Sequence, residues 1–302
     1  MQSSVTEFIQ ALRKQVDVPK NIQLASLACG SLASIFDEQS SKIISESVFS
    51  GIDPDPAKSV LKGLVEFVER RAFAEGRTAG LTICQTERSD GFAAFPKSFS
   101  EIAAVIAREN ALAEAVERFV WAKWWDNKSI GHKLRNVDLL ALESGEIALQ
   151  DVGRAVDLNS VVEIRPRIHE SKFNVVIYFA FLKGGGVVSG GACGEDSQIN
   201  TTRYRALGEL LRHALAIRKI KTKNFTPESF YERRLAYFGT EEAGSNAVRE
   251  RIANQGRSAV RLPALAFDAE VPHSLSELVA VHRCYFDGQP PFVGGTLERL
   301  CL

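Results

Sequence analysis

The stretch AKSVLKGLVEFVER (57–70) decides the fold, because it forms most of a strong predicted helix over about 57–74 and ends in the pattern E-x-x-E-R. Asp55, which lies between two prolines, is the predicted N-cap of this helix. The same pattern returns in ALAEAVER (111–118), inside a second helix predicted over about 99–126. The chain therefore repeats one local motif on two long helices.

Each copy of the motif places two carboxylates on one helical face, Glu66 with Glu69 and Glu114 with Glu117. Like charges at that spacing repel each other unless a cation neutralises them. Two such pairs from two packed helices would surround one pocket with four carboxylates, and Mg²⁺ prefers such hard oxygen ligands. On a single surface helix the pattern is commonly a solvated face, so the magnesium hypothesis depends on the repetition.

A third helix, predicted over about 201–221, carries Arg205 and Glu209 on one face at a spacing of four residues. Arginine can hold a phosphate group through two parallel hydrogen bonds. Arg205 is therefore a candidate phosphate ligand beside the predicted magnesium site.

The remaining segments alternate between helices and strands, which predicts one mixed α/β unit over residues 1–302. A helix is predicted over 4–16 and a charged helical region over about 227–254, whereas SGIDPDPAK (50–58) is predicted to be a turn. The predicted strands are NIQLASLA (21–28) and KIISESVF (42–49) around a turn near Asp37, LTICQT (81–86), VDLLALES (137–144), SVVEIRPRI (160–168), FNVVIYFAFL (173–182) and RLPALAFD (261–268). The segment VVSGGACG (187–194) is predicted to be a short strand or a loop.

The composition is that of a globular protein, with 45% hydrophobic and 25% charged residues, and it excludes wholesale disorder. Lys plus Arg and Asp plus Glu number 37 each, so the formal net charge is zero. This balance indicates neither a nucleic-acid partner nor a membrane surface. The first residues do not form a signal peptide, and no run approaches the roughly 20 apolar residues of a membrane span.

The five cysteines are scattered without a C-x-x-C pair, and the five histidines are scattered without an H-x-x-x-H pattern. Their spacing argues against a disulfide framework and against a zinc site. A reducing cytoplasm is therefore the expected setting.

Three segments in order resemble the signatures of the YcaO family of ATP-using enzymes, over about residues 45–220. The first segment is Ser50-Gly51-Ile52-Asp53, which leads into the helix that ends in E-x-x-E-R. The second is Ser89-Asp90-Gly91-Phe92-Ala93-Ala94, which precedes Glu114, Glu117, Arg118 and Trp121. The third is Gly190-Gly191-Ala192, which precedes Arg205, Ala206, Leu207 and Glu209. The resemblance implies a YcaO-like fold with mixed sheets, in which the long motif-bearing helices line a nucleotide pocket.

The resemblance also implies the cofactors, ATP and Mg²⁺. The metal ligands would be Glu66, Glu69, Glu114 and Glu117, and the nucleotide site would include Ser89, Arg118, Arg205 and Glu209. No G-x-x-x-x-G-K-[ST] sequence occurs in the chain, so an ATP site here is not of the P-loop kind.

Members of this family use ATP to phosphorylate a backbone amide oxygen of a ribosomally made peptide. Azoline or azole rings, thioamides or amidines follow, depending on the nucleophile. The resemblance therefore implies a precursor peptide as substrate. A separate leader-peptide-binding protein is the expected partner, and a homo-oligomer is left open. Nucleic-acid and membrane partners are not expected.

The sequence departs from the family pattern at several points. The segment Gly51-Ile52-Asp53 lacks the lysine that the family has there, and Arg212 stands where a glutamine is common. The segment between the first motif and Ser89 is short, since it consists of residues 71–88 alone. The end of the chain lacks the proline-rich tail of many azoline-forming members. A catalytically inactive scaffold or peptide-binding subunit is the main alternative. ATP-dependent acyl or amide activation without a peptide substrate is a third hypothesis.

Other features have simpler interpretations. Lys183 to Gly186 is predicted to be a hairpin turn rather than a phosphate loop, and Cys193 a buried thiol rather than a nucleophile. His213 follows Glu209 by one turn and is a lesser candidate for the pocket. Core packing, rather than a ligand platform, is predicted for Trp121, Trp124 and Trp125. Solvated helix faces, rather than contacts with a peptide tail or leader, are predicted for Arg233, Arg234, Arg249 and Arg251.

Overall fold

The computed structural model describes residues 2–18, 21–27, 30–36, 48–79, 91–137, 147–222, 230–290 and 297. Within these ranges the helices are α1 (Gln2–Gln15), α2 (Pro56–Thr78), α3 (Ala103–Asp126), α4 (Ile147–Ala155), α5 (Ile199–Thr222), α6 (Phe230–Thr240) and α7 (Glu242–Ala253). The strands are β1 (Asn21–Leu27), β2 (Gly30–Phe36), β3 (Val48–Asp53), β4 (Gly91–Pro96), β5 (His132–Val137), β6 (Leu158–Pro166), β7 (Phe173–Leu182), β8 (Val187–Glu195), β9 (Leu265–Glu270) and β10 (Val279–Phe286). The predicted mixed α/β class is confirmed.

The strands form three antiparallel sheets with the orders β1-β2-β3, β4-β10-β9 and β5-β6-β7-β8. By their contacts the described residues fall into two compact units. The first lies within Met1–Thr86, Asp90–Ala115 and Leu265–Tyr285, and the second within Glu87–Ser89, Val116–Ala264 and Phe286–Leu302. Both units draw on segments far apart in sequence, and the single domain over residues 1–302 stays a prediction.

In the first unit, α1 and α2 share an apolar core with residues of two sheets. The apolar face of α2 contributes Leu64, Phe67 and Val68, all with no exposed surface. The other buried members include Phe8, Leu12, Ile35, Phe49, Phe92, Val279 and Val281. This burial orients α2, because the remaining face is the one that carries Glu66 and Glu69.

The first half of α3 packs on the sheet β4-β10-β9 through small residues. Ala103 and Ala107 form a buried cluster with Ala280 of β10. A Cβ atom on Gly91 of β4 would lie only 1.6 Å from the carbonyl oxygen of Ala111. Small side chains on both elements therefore allow the helix backbone to approach the strand closely.

In the second unit, α5 covers the sheet that ends in β8, and the close approach again depends on glycine. A Cβ atom on Gly190 would lie 2.1 Å from the backbone nitrogen of Leu210. Trp121 and Trp124 have no exposed surface, and the ring of Trp124 stacks on Phe179 with centroids 6.0 Å apart. The core-packing interpretation of these two tryptophans is confirmed.

The sequence-based element bounds differ from the observed ones at several points. The predicted strand 173–182 and the hairpin turn that follows it are confirmed, with β7 and β8 paired antiparallel. The structure adds five elements that the sequence analysis did not predict, namely β2, β4, β5, α4 and β10. Strand β5 ends at Val137, where the predicted strand 137–144 begins, and residues 138–144 lie outside the described residues. Ser50 to Asp53 pairs with β2 as part of β3, so the prediction of a turn there is wrong. Residues 81–86 lie outside the described residues.

The prediction that the paired arginines are all solvated is wrong for two of them. Arg233 and Arg249 are exposed, but Arg234 is 2% and Arg251 3% exposed. The Arg251 guanidinium donates hydrogen bonds to the carbonyl oxygens of Trp124, Asn127 and Ile130, and burial lowers its pKa to about 10. Arg251 thus binds carbonyl groups of the last turn of α3 and of the residues that follow it.

Among the described residues, no helix is both long enough and apolar enough to cross a membrane.

Candidate functional site

The first motif joins a glycine-bearing strand to a glutamate-bearing helix. A Cβ atom on Gly51 of β3 would lie 2.2 Å from the carbonyl oxygen of Ser59, so glycine is needed for this strand to reach α2. Glu66 Oε2 accepts a hydrogen bond of 2.8 Å from the backbone N–H of Ser50. Asp55 Oδ1 accepts one of 2.9 Å from the N–H of Ala57, so the predicted N-cap is confirmed. The helix and the first glutamate of the motif are therefore both fixed to β3.

The second motif is built in the same way. Gly91 of β4 approaches the backbone of α3 at Ala111, as described above. Glu114 Oε2 accepts a hydrogen bond of 2.7 Å from the backbone N–H of Phe92. In both motifs the first glutamate thus binds a backbone N–H next to the glycine of its own signature, which orients the carboxylate relative to the strand.

The third motif brings predicted site residues to the glycine-rich strand β8 of the second unit. A Cβ atom on Gly191 would lie 2.4 Å from the Trp121 ring and 3.1 Å from Glu117 Oε1. Arg205 Nη1 donates to the carbonyl oxygen of Cys193 at 3.4 Å. Glu117 and Arg205 therefore both lie along this strand, where an additional side chain at Gly191 would collide with its neighbours.

The exposure of the acidic pairs does not fit a solvated helix face. All four glutamates and Arg118 are half-buried, whereas Arg205 is exposed. Half-buried like charges are more costly than exposed ones, because less water screens them. A bound cation would offset that cost, so the donor set fits magnesium.

The predicted site residues are divided between the two units. Glu66, Glu69 and Glu114 belong to the first unit, and Glu117, Arg118, Arg205 and Glu209 to the second. Ser89 lies outside the described residues. The convergence of the four glutamates on one pocket stays a prediction.

Two departures from the family pattern have a visible consequence. Near Ile52, where the family lysine is absent, Lys62 Nζ donates to the Ile52 carbonyl oxygen at 3.0 Å and pairs with Asp53 Oδ2 at 2.8 Å. Arg212, at the glutamine position, pairs with Glu209 Oε2 at 2.5 Å. A protein cation therefore already balances the charge of Glu209.

His213 and Cys193 have structural roles. His213 Nδ1 lies 2.6 Å from the carbonyl oxygen of Ser189, and burial lowers the pKa of its imidazole. Cys193 is 1% exposed, and burial, together with the charge of Glu117, raises the pKa of its thiol well above the usual range. A protonated, buried thiol is a poor nucleophile, in line with the prediction for Cys193.

The sequence analysis missed a charged cluster in the second unit. Glu163 of β6 is 1% exposed, and its carboxylate pairs with Arg135 at 2.7 Å, with Arg203 at 2.9 Å and with Arg165 at 3.4 Å. Tyr178 also donates a hydrogen bond of 2.9 Å to Glu163 Oε2. Burial by itself raises the Glu163 pKa, but these hydrogen bonds and charges outweigh it and hold the pKa below its usual value. The sequence feature that could have predicted part of this cluster is E-x-R within one strand, because residues two apart in a strand, here Glu163 and Arg165, lie on one face of the sheet.

Glu163→Gln should lower the free energy of unfolding by about 1–2 kcal/mol at pH 7, because a neutral amide accepts weaker hydrogen bonds from partly exposed arginines. The folded-state pKa is depressed, so the carboxylate contributes stability above its ordinary pKa of 4.5 and loses it as the pH falls through the lower folded value. Denaturant unfolding of the wild type and the variant, at pH 7 and at roughly pH 3, measures the free energy of unfolding under both conditions. The difference in free energy of unfolding between the wild type and Glu163→Gln should be smaller at the acidic pH.

Glu250→Gln is the matched control, because Glu250 pairs with Lys128 on the exposed surface and should leave stability nearly unchanged. If Glu163→Gln lowered the free energy of unfolding equally at both pH values, the charge of the carboxylate would not have the stabilising role assigned to it.

A scan against protein-family models finds no match for this sequence, and a search of curated proteins finds none either. Among solved structures, the fold is similar to a chain of the E. coli Microcin synthetase McbBCD complex, with a TM-score of 0.58 and 10% identity over 88% of this chain and 86% of that chain. It is also similar to a chain of that complex with pro-MccB17 bound, with a TM-score of 0.60 and 10% identity over 88% and 87% of the two chains. At this identity the likeness concerns the fold. The likeness supports the mixed α/β fold with long motif-bearing helices that the resemblance implies.

Proposed function

We propose that this protein binds ATP through Mg²⁺ and activates a backbone amide of a ribosomally synthesised peptide. The observation that carries the proposal is the construction shared by the first two motifs. In each, a glycine-bearing strand lies against a helix, and the first glutamate of the E-x-x-E-R pattern on that helix binds a backbone N–H beside that glycine. A solvated charge pattern needs no such repeated construction, whereas a metal site needs its carboxylates held in place.

In this proposal, Glu66, Glu69, Glu114 and Glu117 hold magnesium, and Arg118 and Arg205 bind phosphate oxygens. Magnesium would neutralise the charge that develops on the transferred phosphoryl group. The backbone hydrogen bonds at Glu66 and Glu114 orient these side chains before any ligand arrives, which lowers the cost of assembling the site.

The chemistry of activation follows from the poor leaving ability of an amide oxygen. The amide oxygen would attack the γ-phosphorus of ATP, forming an O–P bond as the bond to the β-phosphate oxygen breaks and ADP leaves. After a nucleophile adds to the amide carbon and loses its proton to solvent, the C–O bond would break and release inorganic phosphate. A Cys, Ser or Thr side chain of the peptide would yield an azoline ring, and sulfide a thioamide. The similarity of fold to chains of a microcin synthetase complex, one with pro-MccB17 bound, supports a peptide substrate and partner proteins.

A non-catalytic, peptide-binding subunit is the second candidate function. It is favoured by the pairing of Arg212 with Glu209 and by the engagement of Lys62 with Asp53 beside the position of the family lysine. Loss of catalysis would remove any need for half-buried acidic pairs, yet all four glutamates are present. We therefore favour the enzyme.

Arg118→Ala and Arg205→Ala should each weaken ATP binding roughly ten- to a hundredfold, because each removes a charge-assisted phosphate contact worth about 1.5–3 kcal/mol. Arg233→Ala is the control, since Arg233 is exposed on α6 and belongs to no motif. Calorimetric titration of each variant with ATP and magnesium measures the affinities.

Circular dichroism checks that the helices persist, as expected because alanine has at least the helix propensity of arginine. If all three variants bound ATP equally, neither Arg118 nor Arg205 would contact phosphate.

A further inference from the structure

We propose that Asp268, His282 and Cys284 form a site for a zinc-type divalent cation in the first unit, distinct from the predicted magnesium ligands. One ligand atom from each residue lies within 4.8 Å of the other two. His282 and Cys284 are two residues apart on β10, so their side chains share one face of the sheet, and Asp268 comes from the neighbouring strand β9.

The three donors match zinc rather than magnesium, because imidazole nitrogen and thiolate sulfur are ligands of zinc and of similar transition metals. The sequence argued against zinc because it lacks C-x-x-C and H-x-x-x-H spacing. That argument applies to ligands on helices and short loops. On a strand, H-x-C places both side chains on one face, and the third ligand comes from another strand.

The present hydrogen bonds mark where a cation would bind. Asp268 Oδ1 lies 2.7 Å from His282 Nε2 and accepts a hydrogen bond of 3.4 Å from Cys284 Sγ. Zinc bonds of about 2.0–2.3 Å in a tetrahedron separate ligand atoms by roughly 3.3–3.6 Å. The carboxylate–imidazole distance would therefore open by less than about 1 Å, and the carboxylate–sulfur distance would hardly change.

The ligands can offset most of the charge of a divalent cation. Arg108 of α3 binds both oxygens of Asp268, which favours the ionised form of this ligand. On metal binding Cys284 would release its proton to solvent, and the His282 proton would move from Nε2 to Nδ1. The two anionic ligands then offset the charge of a divalent cation, Arg108 remains bound to Asp268 as one further positive charge, and water completes the coordination.

The position of the site indicates a structural role. The His282 side chain is 11% exposed and Cys284 is fully buried, whereas the Asp268 side chain is 23% exposed and leaves a route from solvent. Arg108 lies on the same helix as Glu114. A cation at Asp268 would therefore strengthen the attachment of the first half of α3 to the sheet.

The test uses Co²⁺ as a spectroscopic substitute for zinc. Titration of the full-length protein with Co²⁺ should produce one equivalent of thiolate-to-cobalt charge-transfer absorption and the visible bands of tetrahedral cobalt, and Zn²⁺ should abolish both. Cys193→Ser should keep these bands, since that thiol lies elsewhere, in the second unit. Cys284→Ser should lose the charge-transfer band. The cysteines at 29, 84 and 301 are present in both variants, so the comparison isolates Cys284.

His282→Gln keeps the thiol and tests the site independently if the serine variant does not fold. It should weaken Co²⁺ binding by more than about tenfold. Absence of the charge-transfer band in the wild type, its persistence in Cys284→Ser, or unchanged affinity in His282→Gln would each overturn the proposal and leave these residues as a hydrogen-bonded network.

Discussion

Gly91→Ala should destabilise the protein by about 3 kcal/mol or more, near or above the upper end of the cost of overpacking. The added methyl group would lie 1.6 Å from the carbonyl oxygen of Ala111 and 2.5 Å from the backbone nitrogen of Ala115. Both are helix backbone atoms, so no side-chain rotation relieves the overlap. The strand and α3 would have to separate, which would also break the bond from Phe92 to Glu114. Denaturant unfolding followed by circular dichroism measures the loss.

Gly153→Ala is the matched control. Gly153 lies in α4, where an added methyl group meets only Leu158 Cδ1 at 3.6 Å, an ordinary contact. Alanine has the higher helix propensity, so this variant should be neutral or slightly more stable. If Gly91→Ala behaved like Gly153→Ala, the close packing of the second motif would be wrong.

Glu114→Gln should reduce magnesium-dependent ATP binding roughly a hundredfold, or about 2.7 kcal/mol. The amide oxygen of glutamine can still accept the hydrogen bond from Phe92, so the helix and strand should keep their positions. The negative charge is lost, however, and magnesium depends on charged oxygen ligands. Calorimetric titration with ATP at saturating magnesium measures the change.

Glu277→Gln is the control for a lost carboxylate, because Glu277 is exposed in the same unit and belongs to no motif. Equal ATP affinity in the Glu114 and Glu277 variants would remove Glu114 from the metal site. Thermal unfolding of both variants separates this outcome from a loss of folded protein.

The long helices were predictable because their determinants are local. Apolar spacing, the Asp55 cap and the repeated E-x-x-E-R pattern are all read within one helix, and the observed α2 and α3 agree with the predictions to within a few residues. The strand 173–182 was equally clear, because a continuous β-branched and aromatic run indicates a buried strand.

The sequence failed where the partner of a residue is distant along the chain. Arg251 is indistinguishable from a solvated arginine until its hydrogen bonds to α3, more than 100 positions earlier, are known. Strand β10 is followed directly by the turn residues Asp287-Gly288, but its place as the central strand of its sheet depends on pairing with β4, whose residues lie far earlier in the chain.

For the candidate site, the sequence identified the glutamates but not how they are held. The hydrogen bonds from Ser50 to Glu66 and from Phe92 to Glu114 join residues 16 and 22 positions apart. Gly51 and Gly91 contribute by the absence of a side chain, which lets the helix backbone approach the strand. The sequence does not show this contribution, because the neighbouring helix is known only from the structure.

The most direct test of the central claim is isothermal titration of the wild-type protein with ATP, in the presence and absence of magnesium. The proposed site predicts saturable binding with magnesium and at least about tenfold weaker binding after chelation, because the acidic pairs repel the phosphates of ATP unless magnesium lies between them. Binding without hydrolysis agrees with this claim, since the peptide and its partner are absent. No heat at millimolar ATP from a folded sample, or equal affinity with and without magnesium, would contradict it.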